Sequence, residues 1–344
     1  MIARHANKEE IANWDTLVVS NSPVTTVFST QEYAEIKKQT GYTPLYVVVD
    51  TLPVLIFQKK AWPFGTLWYL PKGQNVINST TLIEVVNAIK VLAKKHGVFF
   101  VRLESELPLA DTPLLEKQGL VASAPVIPSQ STILVDISKS EDAILTSLPQ
   151  KGRYAIRRAK RDGVTIKQVA ATEPNCKIMY KLLSTTAEGQ FGIRSYEYYK
   201  TYWQTFEKAA MGALFFAYYN DVVVAGAYAL VFNHKSTYKD GASIRERSAY
   251  GASHLLQWEV IRWAKSQGST LHDLCGSPPS ARIHDATHPH HNIGLFKTSF
   301  NKEVTDYIGC YDVRIKPLAY ALWTRIGERV HKKLYYKKTH DYYY

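Results

Sequence analysis

The sequence predicts an α/β protein built from two tandem copies of one domain, each carrying a mainly antiparallel mixed sheet. Three observations lead there. A hairpin signal, a long amphipathic helix and a buried strand follow one another in the same order twice. Landmarks in the two passages keep a nearly constant spacing. The chain of 344 residues is also long enough for two cores of ordinary size.

In the first passage, 45–49 and 54–57 are β-rich runs around a short turn at 50–53. Val85, Ile89, Leu92 and Ala93 have helical spacing over 84–96, with Gly97 as the cap, and 98–103 reads as a buried strand. The order returns with a hairpin of 214–219 and 222–232 around Asn220 and Asp221. A helix over 253–267 capped by Gly268 follows, then a strand near 270–274. Ala93-Lys94-Lys95-His96-Gly97 matches Ala264-Lys265-Ser266-Gln267-Gly268, and Val85, Ile89 and Leu92 align with Leu256, Val260 and Trp263. The hairpins start 169 residues apart and the cap glycines lie 171 apart; Gly73 and Gly241, each read as closing a strand, lie 168 apart.

Between the copies, 131–136 reads as a strand leading into a helix that Ser140 caps, with Glu141 and Asp142 in its first turn. A basic helix over 153–161 ends at Gly163, and its Ile156 and Ala159 can pack while the arginines face out. The segment 138–160 therefore joins the copies. Pro317 begins a last helix over 318–334 that can pack back on the first half. The expected domains are 1–138 with 318–344, and 139–317.

Composition excludes several classes. Hydrophobic residues make up 46% and charged residues 21%, ordinary for a globular protein. The first fifteen residues mix Arg4, His5, Lys8, Glu9 and Glu10 with few apolar residues, unlike a secretory signal. No window approaches the roughly 20 apolar residues of a membrane span, so a cytoplasmic protein is expected. Cys176, Cys275 and Cys310 are few, odd in number and unclustered, which indicates neither a disulfide framework nor a zinc site. His284, Asp285, His288, His290 and His291 crowd together, yet Pro289 interrupts them and the spacing is not that of a metal-binding helix; no metal is expected. There is no GxSxG elbow and no cysteine with a base beside it, so covalent catalysis is not indicated.

The net charge of +12 favours polyanionic partners. It is concentrated at Lys151, Arg153, Arg157, Arg158, Lys160 and Arg161, and again at Arg325, Arg329, Lys332, Lys333, Lys337 and Lys338 around Tyr335 and Tyr336. Charge leaves three readings open: nucleic-acid phosphates, an anionic membrane surface, or a solvated face.

Among known folds, the element order in each copy looks like the GNAT acyltransferase fold. Several phrases, in order along nearly the whole chain, resemble the FemABX family of peptidoglycan bridge-forming aminoacyltransferases. Tyr33-Ala34-Glu35-Ile36-Lys37 is similar to its W-A-x-V-K phrase, with Tyr for Trp. Arg153 to Ala159, followed by Gly163-Val164, resembles R-x-x-I-R/K-K-A…G-V. Tyr238-Lys239-Asp240-Gly241-Ala242-Ser243 resembles Y-x-Y-G-A-S, with Asp240 in place of the second Tyr. His288-Pro289, Gly294-Leu295-Phe296-Lys297-Thr298-Ser299-Phe300 and Tyr307-Ile308-Gly309 are similar to H-P…G-x-x-x-F-K-x-x-F-G…Y-x-G, with Asn301 for the second Gly. Thr186-Ala187-Glu188-Gly189-Gln190-Phe191 departs from T-x-R-x-x-F, because Glu188 replaces an arginine that the family associates with phosphates or carboxylates of the precursor. No long coiled-coil insertion interrupts the second half, so the resemblance is to the compact type.

The resemblance implies transfer of a small amino acid (Gly, Ala or Ser) from aminoacyl-tRNA to the stem peptide of a peptidoglycan precursor, nucleotide- or lipid-linked. It implies no cofactor beyond the charged tRNA, and a location at the inner face of the membrane. Phe296 and Lys297 would form the catalytic end of the substrate channel, the lysine serving the tetrahedral oxyanion. Outside that phrase, Lys297 would read as a surface lysine beside a core phenylalanine. Lys37 would hold an acceptor phosphate or carboxylate, Tyr238 would hydrogen-bond the acceptor, and Glu188 marks doubt about it. Glu104 would orient the incoming amine, or else pair with Arg102 or cap a helix. Arg153, Arg157 and Arg158 are candidate contacts for tRNA phosphates. Two other classes remain: acetyl transfer from acetyl-CoA, although 247–253 lacks the spacing of a pyrophosphate-binding turn, and a non-catalytic RNA-binding module.

Overall fold

The computed structural model describes all residues except 23, 73, 128–129, 188–191 and 245–248. Fourteen strands are described in chain order: β1 (Ala3–His5), β2 (Thr43–Val49), β3 (Leu52–Ala61), β4 (Gly65–Leu70), β5 (Val98–Pro108), β6 (Val121–Ser123) and β7 (Ser131–Thr132). They continue with β8 (Leu134–Asp136), β9 (Thr165–Val169), β10 (Gly212–Tyr219), β11 (Val222–Phe232), β12 (Lys235–Ser243), β13 (Leu271–Asp273) and β14 (Thr305–Arg314). The chain divides into two compact units, Met1–Gln130 with Tyr307–Tyr344, and Ser131–Asp306.

In the first unit the strand order is β1-β2-β3-β4-β5-β14-β6, and only β4 and β5 run parallel. In the second it is β9-β10-β11-β12-β13-β8, and only β12 and β13 run parallel. The two orders match strand for strand through the sixth position. The α/β fold of two tandem GNAT-like units is thus present, its mixed sheets mainly antiparallel.

The long helix of each copy explains the parallel pair, since a parallel return needs a crossover. Ser79–Lys95 starts where the Asn78 side chain accepts from the Thr81 N–H at 2.8 Å, and it buries Leu82, Val85, Val86, Ile89 and Leu92 against the sheet. Ala252–Ser266 does the same with Leu255, Leu256, Val260, Ile261 and Ala264. Gly97 (φ +68°) and Gly268 (φ +87°) end the two helices in the left-handed region, where a Cβ would be strained. The second hairpin turns on Asn220 and Asp221, both left-handed, which suits a two-residue hairpin loop.

The domain limits differ from 138/139 and 317/318. The sixth strand of each sheet is contributed by residues outside the repeated passage. β14 pairs with β5 in the first unit, and β8 pairs with β13 in the second. Gly241 sits inside β12 instead of closing it, with the Tyr238 ring packed over its Cα, while Gly73 lies outside the described residues. The last helix is longer than expected and runs Pro317–Leu322, a π turn Trp323–Gly327, then Glu328–Thr339. Trp323 anchors it against Phe64 and Phe99 (centroids 5.5 and 5.6 Å). Gly327 permits the approach, because a Cβ there would come within 2.7 Å of the Phe64 ring.

Candidate active site

Lys297 ends the short helix His291–Lys297 and is 8% exposed. Its Nζ donates to the carbonyls of Cys275 and Gly276, each at 2.7 Å. Both carbonyls lie just beyond β13, and Cys275 is left-handed (φ +55°) without being glycine. Asp273 fixes that turn: its Oδ1 accepts from the Cys275 N–H (2.8 Å) and the Thr132 hydroxyl (2.5 Å), and its Oδ2 pairs with Lys235 (3.0 Å). Burial lowers the Lys297 pKa to about 8, against the charges of Cys275 and Asp273, which favour the cation. An ammonium has three N–H groups, and two of them have protein acceptors among the described residues. The third is available to an oxyanion.

Beside the lysine is an aromatic wall. Phe296 meets His254 edge-on at 5.0 Å and Phe300 at 5.5 Å, and His254 stacks on Phe300 at 5.8 Å. Burial, with a smaller effect of Lys151, lowers the His254 pKa to about 4, so the ring is neutral near pH 7. Its Nε2 has no hydrogen-bond partner among the described residues. The basic helix, observed over Gln150–Arg161, abuts the same segment: a Cβ on Gly152 would fall 2.0 Å from the Ser299 carbonyl oxygen.

The three expected phosphate contacts differ in their surroundings. Arg153 donates to the carbonyls of Leu148 and Thr146, closing the end of the preceding helix Glu141–Ser147. Arg158 pairs with Asp162 at 3.2 Å and lies 4.5 Å over the Tyr250 ring. Arg157 is exposed. Tyr238 sits where β12 bulges against β11, and burial raises its pKa. Asp240, the departure from the family phrase, accepts from Trp203 Nε1 and pairs with Lys239, both at 2.9 Å. Glu188 lies outside the described residues.

In the first unit, Lys37 is 3% exposed on the helix Gln31–Gln39. Its Nζ stands 4.5, 5.7 and 6.0 Å from the ring centroids of Tyr42, Tyr69 and Tyr33. The Tyr69 hydroxyl donates to Glu104 Oε2 (2.5 Å), while the N–H groups of Val126 and Ile127 reach Oε1 at 2.9 and 3.1 Å. Burial raises the Glu104 pKa against those bonds and the charge of Lys72. The structure therefore brings Lys37 and Glu104 together through Tyr69. Glu104 does not pair with Arg102. That guanidinium is taken by Asp312 at 2.8 Å on two nitrogens and by Glu328 at 2.8 Å.

Of the crowded histidines, His288 and His290 have ring centroids 5.7 Å apart, and Asp285 is taken by Arg282 and Thr287. Among the described residues no three His, Cys, Asp or Glu side chains gather around a metal position. Sequence reasoning passed over Asp273, Cys275 and His254. The signal for the first two was the turn-forming run Cys275-Gly276-Ser277-Pro278-Pro279 directly after a strand; His254 had none.

The strand order shared by the two units defines a protein of the tandem GNAT-like fold. Residues 118–220 and 211–327 match the model of the FemAB family, and the chain belongs to that family. It is similar to a lipid II:glycine glycyltransferase of Staphylococcus aureus (strain MRSA252), 21% identical over 406 aligned positions that cover 92% of this chain and 94% of the relative. Its fold is similar to the crystal structure of FemX, with a TM-score of 0.79, 19% identity, and 95% of this chain and 100% of the other covered. A more distant likeness is to L-PGS from Bacillus licheniformis, with a TM-score of 0.55, 14% identity and coverage of 95% and 98%. No described helix is long and apolar enough to cross a membrane.

Proposed function

We propose that the protein is an aminoacyltransferase that moves a small amino acid (Gly, Ala or Ser) from aminoacyl-tRNA to the stem peptide of a peptidoglycan precursor. The observation that carries this reading is Lys297, a buried cation with two N–H groups held by backbone and the third available. In the reaction, the neutral amine of the acceptor attacks the ester carbonyl carbon, and the carbonyl electron pair moves onto oxygen. Lys297 then donates to that oxyanion in a poorly hydrated setting beside Phe296 and His254, where the bond is stronger than in water. Collapse breaks the ester C–O bond, releases the ribose hydroxyl and leaves an amide. The nitrogen loses its proton and the leaving oxygen gains one.

In this reading Lys37 binds a phosphate or carboxylate of the precursor, Glu104 sets the position of Tyr69, and Tyr238 hydrogen-bonds the acceptor, while Glu188, in place of the family's arginine, marks a difference in the acceptor it takes. Arg157, with Arg153 and Arg158 behind it, meets tRNA phosphates, and no cofactor besides the charged tRNA takes part. The precursor is nucleotide- or lipid-linked, and a lipid-linked one would bring the protein to the inner face of the membrane.

The acetyl-CoA alternative has less support. The N-terminus of Ala252–Ser266, where a pyrophosphate would sit, has Gly251 packed against the Ala155 carbonyl, so close that a Cβ would lie 2.3 Å from its oxygen. At the equivalent helix start the Ser79 hydroxyl donates to Asp111, which sets a carboxylate where a pyrophosphate would sit. The test is to supply purified protein with glycyl-, alanyl- or seryl-tRNA and precursor, and to look for the extended peptide by mass. Intact aminoacyl ester in every combination would refute the reading.

A further inference from the structure

The helical stretch 317–339 carries two exposed rows. Its inner face is Tyr320, Trp323 and Gly327, with His331 and Tyr335 half-buried. One residue before those positions stand Leu322, Ile326, Val330 and Leu334, with Leu318 a turn earlier. All five are exposed, from 44% at Val330 to 84% at Leu318. One residue further back are Arg325, Arg329, Lys333 and Lys337, also exposed. A four-residue repeat on an α-helix drifts by about 40° per step. The π turn Trp323–Gly327 has more residues per turn and takes back part of that drift, so the two rows curve less around the helix than a continuous α-helix would make them.

At one end of the rows lies a cavity of about 470 Å³. Leu334 and Lys338 of the helix and Lys59 and Lys60 of β3 line it, and no carboxylate is among its described lining residues. Lys59 Nζ is buried there, donating to the carbonyls of Thr40 (3.0 Å) and Tyr343 and lying 4.5 Å from the Tyr335 ring and 4.0 Å from the Tyr343 ring, so it lends charge to the cavity while Lys60 and Lys338 are the exposed cations at its rim.

Five exposed aliphatic side chains beside four cations suit one kind of partner. RNA would engage the cations and leave Leu318, Leu322 and Ile326 in water. A second copy would set cations against cations. An anionic bilayer accepts both rows, the aliphatics at the acyl boundary and the cations at the lipid phosphates. We propose that this helix lies flat on an anionic phospholipid surface and that Lys60 and Lys338, at the rim of the cavity, take one headgroup phosphate. The proposal deepens the membrane association in the reading above, and rests on that reading for its purpose.

The test is sedimentation of the whole protein with vesicles of phosphatidylcholine alone, or mixed with phosphatidylglycerol. Binding to the mixed vesicles only is expected. The double variant Arg329→Gln, Lys333→Gln should weaken it roughly 25-fold, about fivefold per charge. Ile326→Gln with Leu334→Gln, and separately Lys60→Gln with Lys338→Gln, should also weaken it. Transfer onto a soluble nucleotide-linked precursor should stay unchanged in all three, so failure of docking is distinguishable from failure of the enzyme reading. Four outcomes overturn the proposal: equal binding by the variants, equal binding to neutral vesicles, full displacement by soluble glycerol phosphate, or loss of tRNA binding or self-association in the variants in place of vesicle binding.

Discussion

Replacing Lys297 by methionine keeps the length of the side chain and removes its charge. Burial lowers the ammonium pKa from 10.5 to about 8. One pH unit is worth about 1.4 kcal/mol, so holding the proton in the folded state costs about 3 kcal/mol relative to the unfolded chain. Below about pH 8 the proton is bound in both states and the cost is felt in full. Between about pH 8 and 10.5 the folded state has released the proton while the unfolded chain keeps it, so the contribution of Lys297 to stability rises with pH. Methionine has no such dependence. Urea unfolding of both proteins should therefore show wild type gaining about 3 kcal/mol on Lys297→Met from neutral pH to the top of that window. Near pH 7 the variant escapes the buried charge but leaves the carbonyls of Cys275 and Gly276 without their donor, a cost of roughly 1–3 kcal/mol each. The two effects offset, and the variant should fold. Its transfer rate should nonetheless fall about 100- to 1,000-fold, the usual cost of one oxyanion donor. Wild-type kcat should decline above about pH 8 as Nζ loses its proton, whereas Lys297→Arg should keep partial activity without that decline. A stability difference independent of pH, or a methionine variant within a few-fold of wild type in rate, would refute the reasoning.

Three further substitutions, one with a control beside it, probe the supports. Asp273→Asn should remove the pairing with Lys235 and loosen the Cys275 turn; a stability loss of about 3 kcal/mol is expected by thermal unfolding, with kcat falling more than KM changes. Gly152→Ala should push the basic helix off Ser299, lowering stability by about 1–3 kcal/mol and slowing transfer, while an alanine at exposed Arg157 should leave stability alone. Arg102→Met leaves the buried Asp312 only the Tyr320 hydroxyl and removes its counter-charge, while Glu328 keeps Lys332, so about 3 kcal/mol should be lost. Limited proteolysis should then cut first within 317–339; unchanged cleavage would show that the ion pairs do not hold that helix.

The hairpins and helix ends were legible because they depend on neighbours in sequence. Asn220-Asp221 and the glycines at 97 and 268 declare left-handed positions by residue type alone. The start of the first long helix was read five residues late, because Ser79, Thr80 and Thr81 hide its amphipathic pattern behind the Asn78 cap. The sixth strands were not legible at all: nothing near 98–103 says that its partner is about two hundred residues away. Lys37 and Lys38 look alike in sequence, yet Lys38 is exposed and paired with Glu35 while Lys37 follows Tyr33 by one turn onto the buried face. The partners of Lys297 were hidden because two are backbone carbonyls, and backbone geometry at Cys275 leaves little trace in residue type.

The duplication also bears on how the two sites arose. Glu104 and Asp273 stand 169 residues apart, the spacing of the hairpin starts, and each lies on the fifth strand, the parallel partner of the fourth. Each is a buried carboxylate that gathers donors from the neighbouring strand and from loop N–H groups. Glu104 takes Tyr69 of β4 with Val126 and Ile127; Asp273 takes Lys235 of β12 with Cys275. The same position of the same fold thus fixes a local turn in both copies. What differs is the group presented next to it. In the first unit Tyr69 belongs to an aromatic box around Lys37, a setting that suits holding an anion. In the second the fixed turn offers two carbonyls to Lys297, while burial lowers its proton affinity, a setting that suits meeting charge only as it develops. One scaffold device, used twice, thus carries two different settings, the binding and the reacting one of the proposed function, without any change in strand order.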